Sequence, residues 1–409
     1  MIKKRIGIIG VSGFAKNHLN SIKYLEKECE LVAADVRRED RCEADVDAMK
    51  ALGAKIYENA YEMLEAEKNN IDIICIPTSI DSHSDYSVAA MKLGYDVICE
   101  KPVTGTIEEA LLMKKTAAET GKKLCIGFQN VFSPTIQKIK KIKVEKKLGN
   151  LVSCKSYATW PRSSAYYKRN AWAGKMVYNG KKIFDSPIQN ATAHYLNNLL
   201  YIAGETYDES SIPEEIYGEN FRAKNIESAD TQFVRVKTKN NIKLTYIVTH
   251  SCKEDFGPVA EYLFENGKIL WDFQHETDGE AKVFEKTGSE YKLIDKFDNG
   301  PISIHALVFK NMFEAIDNNK QPLSNINNAY QHIISVNKSF DSSNGITQID
   351  EKYLDALRIE VEAYDPDLDV SNERNIVIKG IEKTIEKMYE QEKSFIEIGA
   401  EWACCSLPR

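Results

Sequence analysis

The sequence predicts an α/β protein whose N-terminal part is a doubly wound parallel sheet. Along the first third of the chain, short apolar runs of strand length alternate with amphipathic stretches of helix length. A glycine-rich turn follows the first apolar run, and an acidic residue ends the second. The chain has 409 residues. Because single hydrophobic cores stop growing near roughly 250 to 300 residues, we expect two domains.

The first strand and its turn are typical of a dinucleotide site. Ile6–Ile9 is apolar, and the turn after it has the sequence Gly-Val-Ser-Gly-Phe-Ala from Gly10. A Rossmann turn has the pattern Gly-x-Gly-x-x-Gly/Ala, and Ser12 replaces its second glycine. Because Gly13 restores flexibility and serine is small, we expect a displaced turn whose backbone N–H groups still face a phosphate. The predicted contacts come from Gly10, Ser12, Gly13 and Phe14. A turn without a ligand is the alternative.

An acidic residue after the second strand favours the nucleotide interpretation. Leu31–Ala34 is followed by Asp35, near the place where a Rossmann unit has the acid that binds the adenosine ribose. A carboxylate there accepts from the 2′-hydroxyl and repels a 2′-phosphate, which favours NAD over NADP. Arg37 and Arg38 follow, and either could reach a 2′-phosphate, so NADP stays open.

Two more strands complete the first third. The apolar run Ile71–Ile76 predicts a strand that ends at Pro77-Thr78-Ser79. His83–Leu93 has helical spacing and ends at Gly94, and Tyr95–Cys99 predicts a further strand that leads into Glu-Lys-Pro. Ligands of open α/β sheets bind outside the carboxyl ends of the strands. The side chains predicted at that edge are Thr78, His83, Glu100 and Lys101.

The run from Ile74, ICIPTSIDSHSDYSVAAMKLGYDVICEKPVTGTIEEA, resembles the signature of the Gfo/Idh/MocA oxidoreductases. The shared features are Pro-Thr after the fourth strand, a histidine opening the next helix, and Glu-Lys-Pro closing the following strand. The likeness extends through Gly127-Phe128 and Pro134. It implies a Rossmann domain over 1–126, then an α/β domain over 127–409 with a large, mostly antiparallel open sheet. NAD or NADP would lie in the cleft between them.

The resemblance also implies roles. Glu100 would contact the nicotinamide ribose and Lys101 the reacting hydroxyl of the substrate, with a cis peptide before Pro102 and Gln129 among the cofactor contacts. The alternative for Lys101 is a surface lysine paired with Glu100.

A loop rich in aromatic and basic residues follows the first strand of the second domain. The segment WPRSSAYYKRNAWAGK begins at Trp160. Aromatic rings can cover C–H faces while guanidinium and amide groups bond to hydroxyls, so a sugar or cyclitol would suit it. The residues predicted to bind substrate here are Arg162, Tyr167, Arg169 and Trp172. A loop at a subunit contact is the alternative.

The next segment carries the predicted acid/base. Asp185-Ser186-Pro187 predicts a helix start, and Asn190 and His194 would then share a face. This arrangement resembles the family's Asp-x-x-x-His, with Asn190 in place of the aspartate. The unperturbed pKa of histidine, about 6.5, suits proton transfer near neutrality. Without a carboxylate at position 190, Asp185 or Lys101 would share the proton work. A buried structural histidine is the alternative.

A second alignment of this segment is possible. Counting forward from Gly180 makes Asp185 the family aspartate and Gln189 the family histidine. We prefer His194, because Asn197 and Gly204 then also fall in register.

Together these residues predict an NAD(P)-dependent oxidoreductase acting on a secondary alcohol or ketone of a sugar, cyclitol or glycoside. One alternative is a lyase or hydrolase that oxidises its sugar transiently and keeps its cofactor. Another is a nucleotide-sensing protein without catalysis.

Composition limits other functions. A net charge of −7 and a pI near 5.7 argue against a nucleic-acid partner, and we expect the basic run at 138–147 to be a solvated helix face. No apolar run approaches the roughly 18 residues of a membrane span, and the N-terminus is strand-like, so we expect a cytoplasmic protein. Nine cysteines and seven histidines lack metal-ligand spacing, so no metal is predicted. A homodimer or homotetramer is implied by the resemblance alone.

Later segments predict sheet strands within 233–248 and 263–273, and helices over 305–318, 325–340 and 375–392. The last helix is expected to pack on the body of the protein. The final residues from Trp402 form either a docked or a disordered tail.

Overall fold

The structure is a computed structural model that describes residues 3–36, 42–273, 279–301, 303–343, 345–358 and 374–404. It divides into two compact units, one of Met1–Ser133 with Pro301–Ile333 and one of Pro134–Gly300 with Ile334–Arg409. The domain boundary expected after residue 126 stays a prediction. No helix among the described residues is long and apolar enough to span a membrane.

The first unit contains a six-stranded parallel sheet in the order β3-β2-β1-β4-β5-β6. This is the Rossmann strand order, with the reversal between β1 and β4. The predicted doubly wound sheet is confirmed. Its strands are β1 (Lys4–Ile9), β2 (Cys29–Asp35), β3 (Lys55–Tyr57), β4 (Ile73–Ile76), β5 (Asp96–Cys99) and β6 (Leu124–Ile126). Its helices are α1 (Ala15–Tyr24), α2 (Glu43–Ala51), α3 (Ala60–Ala66), α4 (His83–Lys92), α5 (Ile107–Thr120) and, after the second sheet, α9 (Ile304–Asp317).

The second unit is built on a nine-stranded sheet in the order β16-β15-β14-β13-β7-β12-β11-β10-β17. All neighbours are antiparallel except the β7–β12 and β10–β17 pairs, so the expected large, mostly antiparallel sheet is confirmed. The strands are β7 (Leu151–Thr159), β10 (Pro213–Arg222), β11 (Thr231–Thr238), β12 (Lys243–Thr249), β13 (Phe256–Phe264), β14 (Gly267–Asp272), β15 (Glu280–Thr287), β16 (Glu290–Phe297) and β17 (Thr347–Gln348).

Two small antiparallel strand pairs and six further helices are also present among the described residues. The hairpins are β8 (Val177–Tyr178) with β9 (Lys181–Lys182), and β18 (Leu354–Arg358) with β19 (Arg374–Ile378). The helices are α6 (Pro134–Val144), α7 (Ser164–Lys168), α8 (Ala193–Ala203), α11 (Ile381–Gln391) and α12 (Glu401–Cys404). The remaining helix, α10 (Ile326–Ser342), crosses the division between the units at residues 333 and 334.

The helix predicted to begin at Asp185 was wrong, because α8 begins only at Ala193. The Asp185 carboxylate does not cap a helix there; it accepts a hydrogen bond from the backbone N–H of Gly174, at 2.6 Å. The residues before α8 form turns of different widths, with hydrogen bonds from Asn190 N–H to the Ser186 carbonyl and from Thr192 N–H to the Pro187 carbonyl, and not a regular α-helix. Asn190 therefore precedes the helix that carries His194 and does not share a regular helical face with it.

The long helix predicted over 375–392 was wrong at its start. Asn375–Ile378 belongs to β19, which pairs antiparallel with β18. Gly380, with φ of +71°, separates this strand from α11. The apolar residues that suggested a helix at this point are therefore strand residues of the β18–β19 pair.

The basic run in α6 does not form a wholly solvated face, contrary to expectation. Lys140 is fully buried, and its ammonium donates to backbone oxygens of Tyr201, Gly204 (3.0 Å) and Glu209 (2.9 Å). Burial lowers the pKa of Lys140 to about 6. This side chain thus bonds to carbonyls at the carboxyl end of α8 and in the loop that follows it.

The C-terminal segment packs on the nine-stranded sheet, as expected for its last helix. Ile381, Ile385 and Met388 of α11 are buried in one cluster with Phe221 and other sheet residues. Trp402 joins this cluster at 4% exposure, with its ring 5.0 Å from that of Phe221 and 4.9 Å from that of Phe395. Trp402 is therefore docked, whereas residues 405–409 lie outside the described part of the chain.

Replacing Trp402 should test this anchor. We expect Trp402→Ala to lower the free energy of unfolding by about 3 to 5 kcal/mol, the usual range for deleting a buried aromatic ring. Chemical denaturation measures this difference when unfolding is monitored by far-UV circular dichroism, which reports secondary structure and does not depend on the tryptophan that is removed. The exposed neighbour Glu401 supplies the control, since Glu401→Ala should change the value by less than about 0.5 kcal/mol. Equal stabilities for the two variants would contradict the docked position.

Candidate active site

The turn between β1 and α1 has the backbone shape that a dinucleotide site needs. Gly10 has φ of +91° and Gly13 has φ of +60°. A Cβ atom on Gly13 would meet no atom within 4 Å, so the turn is open on that side. The residue before α1 is Phe14, and no side chain caps the helix start among the described residues. The N–H groups of Ala15 and Lys16 make only long hydrogen bonds, of 3.3 Å, to the backbone carbonyls of Ser12 and Gly13, and the start of a helix favours a bound phosphate.

The turn and the end of β2 lie together. The N–H of Gly10 donates to the carbonyl of Asp35, at 3.2 Å, and Asp35 is 1% exposed. On its other side, Gly10 approaches β4, since a Cβ atom there would lie 3.1 Å from Cγ2 of Thr78. An open glycine turn, an uncapped helix start and a carboxylate at the end of β2 fit a bound dinucleotide. Arg37, predicted as a cofactor contact, lies outside the described residues.

Glu100 is a buried carboxylate at the carboxyl end of β5. It is 6% exposed, and its Oε1 lies 2.9 Å from Nε2 of His18, a residue of α1 that is 4% exposed. The backbone N–H of Lys101 donates to its Oε2 at 3.2 Å. A Cβ atom on Gly127 would lie 2.5 Å from Oε1 of Glu100, so the carboxylate can occupy this place only because residue 127 is glycine.

His83 ties two loops of the sheet edge together. Its Nδ1 lies 2.8 Å from the carbonyl oxygen of Pro102, and its Nε2 lies 3.0 Å from that of Thr78. The ring is 1% exposed, and burial lowers its pKa. Both nitrogens face backbone oxygens, so this geometry makes His83 a positioning residue, while its direct contact with the cofactor stays a prediction. The cis peptide expected between Lys101 and Pro102 is present.

The other predicted cofactor residues differ in exposure. Ser12 is exposed at the turn, Lys101 is half-buried, and Gln129 is 9% exposed in a short 3-10 turn after β6. The side-chain oxygen of Gln129 is buried and accepts no hydrogen bond among the described residues.

In the second unit, the predicted substrate loop is organised by cation–π contacts. The guanidinium of Arg169 lies 3.7 Å from the ring centre of Tyr166 and 5.3 Å from that of Trp172. The guanidinium of Arg162 lies 5.2 Å from the same Tyr166 ring. The structure thus brings Arg162, Arg169 and Trp172 together around Tyr166, a residue that the sequence did not single out. Stacked guanidinium groups keep their edges for hydrogen bonding.

Asp185 and Asn190 form one polar group near the start of α8. Asn190 donates its amide to Asp185 Oδ1 at 2.8 Å, and Asp185 is 4% exposed. His194 is the second residue of α8 and is 7% exposed. The Asp185 carboxylate thus lies one hydrogen bond away from the Asn190 side chain.

Comparison with known proteins decides the family. The model of the Gfo/Idh/MocA family, an oxidoreductase family with an NAD-binding Rossmann fold, matches residues 4–128. Residues 4–128 therefore form the NAD-binding Rossmann domain of this family. The expected resemblance is therefore confirmed, and so is the expectation of an NAD(P)-dependent oxidoreductase.

The curated proteins that this chain is similar to include sugar and cyclitol dehydrogenases. The chain is 26% identical over 300 residues to glucose-6-phosphate 3-dehydrogenase of Bacillus subtilis (strain 168), covering 71% of this chain and 77% of that one. It is 22% identical over 266 residues to an inositol 2-dehydrogenase of Klebsiella pneumoniae, covering 64% and 72%. In fold it is similar to the WlbA dehydrogenase of Bordetella pertussis in complex with NADH and UDP-GlcNAcA, with a TM-score of 0.69, 22% identity and coverage of 84% and 97%.

Several polar residues of this protein were not predicted from sequence. His18 pairs with Glu100, and the ring of His305 lies 5.5 Å from that of Phe14. Lys224 and Asp230 are buried beside the substrate loop. His18, His305 and Lys224 have no local motif, because they meet their partners across 82, 291 and up to 152 residues of sequence. No group of three or more His, Cys, Asp or Glu residues suited to a metal occurs among the described residues.

Gly127→Ala should weaken dinucleotide binding. The added methyl group would displace the Glu100 carboxylate from the sheet edge where nucleotides bind, so we expect at least a tenfold weaker affinity for NADH, measured by fluorescence titration. Gly121→Ala is the matched control, because its φ of +68° imposes backbone strain while its Cβ atom meets open space. If both variants bind NADH like the unaltered protein, Glu100 does not belong to the nucleotide site.

Proposed function

We propose that this protein transfers hydride between a nicotinamide dinucleotide and a secondary alcohol or ketone of a sugar, cyclitol or glycoside. The observation that carries this proposal is the family's NAD-binding domain with Glu100-Lys101-Pro102 at the carboxyl end of β5. The relatives named above, which act on a sugar phosphate and on inositol, support the substrate class. The loop around Tyr166 supports it too, because stacked rings and guanidinium groups suit a polyhydroxylated molecule.

The proposed reaction needs one side chain that stabilises negative charge on the reacting oxygen and one that moves the hydroxyl proton. When bound, the dinucleotide supplies the hydride acceptor or donor at its nicotinamide ring. Lys101 holds the reacting hydroxyl and stabilises negative charge as it develops on that oxygen. His194 removes the hydroxyl proton, and in the reverse direction returns it. Asp185 supports the proton transfer through its charge and through the orientation that it gives Asn190.

The remaining predicted residues position the two ligands. The turn from Gly10 to Phe14 holds the diphosphate, and Asp35 accepts from the adenosine ribose. Glu100 and Gln129 serve the nicotinamide end, while Thr78 and His83 hold the loops in place. On the substrate side, Arg162, Tyr167, Arg169, Trp172 and Asn190 surround the hydroxyl groups.

NAD is the proposed cofactor, and NADP is the alternative. The buried carboxylate of Asp35 supports NAD, because it would repel a 2′-phosphate.

Asp35→Ser should move this preference. Removing the carboxylate removes the repulsion, so we expect the ratio of kcat/KM for NADP over NAD to rise at least tenfold, measured from initial rates with each dinucleotide. Asp85→Ser, at an exposed position of α4, is the control and should leave the ratio unchanged. An unchanged ratio in Asp35→Ser would place the ribose contact elsewhere.

The oligomeric state and the cellular compartment are proposed from the exposed residues of one edge strand and from the free cysteines. An edge strand, β16, leaves Tyr291, Leu293 and Ile294 exposed at 39%, 49% and 50%, which supports a homodimer or homotetramer with a contact at this edge. The eight described cysteines are free thiols, and Cys405 lies outside the described residues. Free thiols in this number support a reducing compartment such as the cytoplasm.

Variants of Lys101 and His194 test the reaction. Lys101→Met and His194→Ala should each lower kcat by about a hundredfold or more, because they remove charge stabilisation and the proton acceptor respectively. NADH absorbance with a panel of sugars, cyclitols and glycosides provides the rates, and NADH fluorescence should show that the dinucleotide still binds. Lys182→Met, at an exposed lysine, is the matched control. Full activity in both site variants would overturn the assignment.

A further inference from the structure

A cavity of about 740 Å³ lies in the second unit, beside the predicted substrate loop. Three segments form its wall: residues 164–175 of the loop, residues 222–227 after β10, and the hairpin β18–β19. This volume falls within the range of small-molecule sites, roughly 300 to 1,000 Å³, and exceeds what a single ion needs.

The wall of this cavity is strongly cationic in a protein of net charge −7. Glu227 is its only carboxylate among the described lining residues. The cations are Lys168, Lys175, Arg222, Lys224 and Arg374. Charge of one sign concentrated in a concave site attracts a ligand of the opposite sign.

Lys224 is a buried lysine whose ammonium group is held by three hydrogen-bond acceptors. It is 5% exposed, and its ammonium donates to Ser251 Oγ at 2.5 Å and to the carbonyl oxygens of His250 and Ile376 at 2.8 and 3.2 Å. Burial lowers its pKa to about 8, which leaves it mostly protonated at pH 7. Because three acceptors occupy its three protons, Lys224 supplies positive potential to the cavity but no free donor.

Arg222 presents a fixed guanidinium to the same cavity. Its Nη1 donates to the carbonyl oxygens of Ile226 and Glu227 at 2.7 and 3.0 Å, and its Nε donates to Gln348 at 2.8 Å. Among the described residues, no acceptor takes the protons of its Nη2. Arg374, the first residue of β19, is an exposed residue of the same wall. Each guanidinium group has the planar geometry that suits a phosphate contact.

The rest of the wall suits an organic molecule. Ala173, Ile226 and Ile376 are apolar, and Tyr167 provides a ring that is also among the predicted substrate contacts. Gly174, another wall residue, donates its N–H to Asp185, so the cavity adjoins the polar group that contains Asn190.

We propose that this cavity binds a phosphate group carried by the sugar or cyclitol substrate, with Arg222 and Arg374 contacting the phosphate oxygens. Lys224 supplies potential, and the apolar residues cover the carbon skeleton. The identity of the ligand as substrate rests on the proposed function, whereas phosphate binding at the cavity does not.

The first test measures binding without turnover. Inorganic phosphate and a panel of hexose monophosphates are titrated calorimetrically into the full chain and into Arg374→Gln and Arg222→Gln. We expect each variant to weaken binding at least tenfold. Arg374 is exposed, so its replacement keeps the fold, which circular dichroism verifies. Lys237→Gln, at an exposed lysine of β11 in the same unit, should bind like the unaltered protein. The proposal is overturned if phosphate does not bind, or if both arginine variants bind it as tightly as the unaltered protein does.

The second test asks whether the phosphate belongs to the substrate. We expect kcat/KM for a hexose monophosphate to exceed that for the same hexose by tenfold or more, and Arg374→Gln to reduce this ratio through KM with little change in kcat. Binding of phosphate with no such preference would assign the cavity to a separate phosphate compound and overturn the substrate claim. If no sugar is turned over at all, the proposed function fails while the calorimetry still decides the cavity.

Discussion

The parallel pairing of β1 with β2 on one side and β4 on the other is the constraint on which the cofactor domain depends. This pairing sets Ile9 beside Asp35 and Ile8 beside Cys75, so that the turn after β1 opens where the strand order reverses. Ile6 and Ile8 are fully buried, which means that the ladder hydrogen bonds cannot be replaced by water. Loss of this register would separate the glycine turn from the carboxylate of Asp35.

A second constraint is the buried pair of Glu100 and His18. Burying these two polar groups costs desolvation free energy. Their mutual attraction, at a distance of 2.9 Å, offsets this cost only while their geometry is kept. Gly127 provides the space for the carboxylate, and the N–H of Lys101 supplies a second hydrogen bond. The arrangement fixes a negative charge at the sheet edge while leaving the neighbouring lysine half-buried.

The C-terminal segment is part of the second unit's core. The amide of Asn375 in β19 donates to the carbonyl oxygen of Cys252 at 2.7 Å, and α11 and Trp402 bury apolar side chains on the sheet. The same hairpin supplies Arg374 and the carbonyl that Lys224 binds. The packing of this segment against the sheet therefore also builds one wall of the cationic cavity.

The sequence by itself determined the alternation of strands and helices, the glycine turn with its uncapped helix, Asp35 and the Glu-Lys-Pro edge. These features depend on residues close in sequence, whose periodicity and backbone preferences are local. Tertiary structure alone decided that His18 meets Glu100, 82 residues away, and that Lys224 meets Ile376, 152 residues away. It also decided that α8 starts only at Ala193, since the Asp185 carboxylate accepts from the N–H of Gly174 and the N–H of Ile188 donates to the side chain of Gln232, 44 residues away.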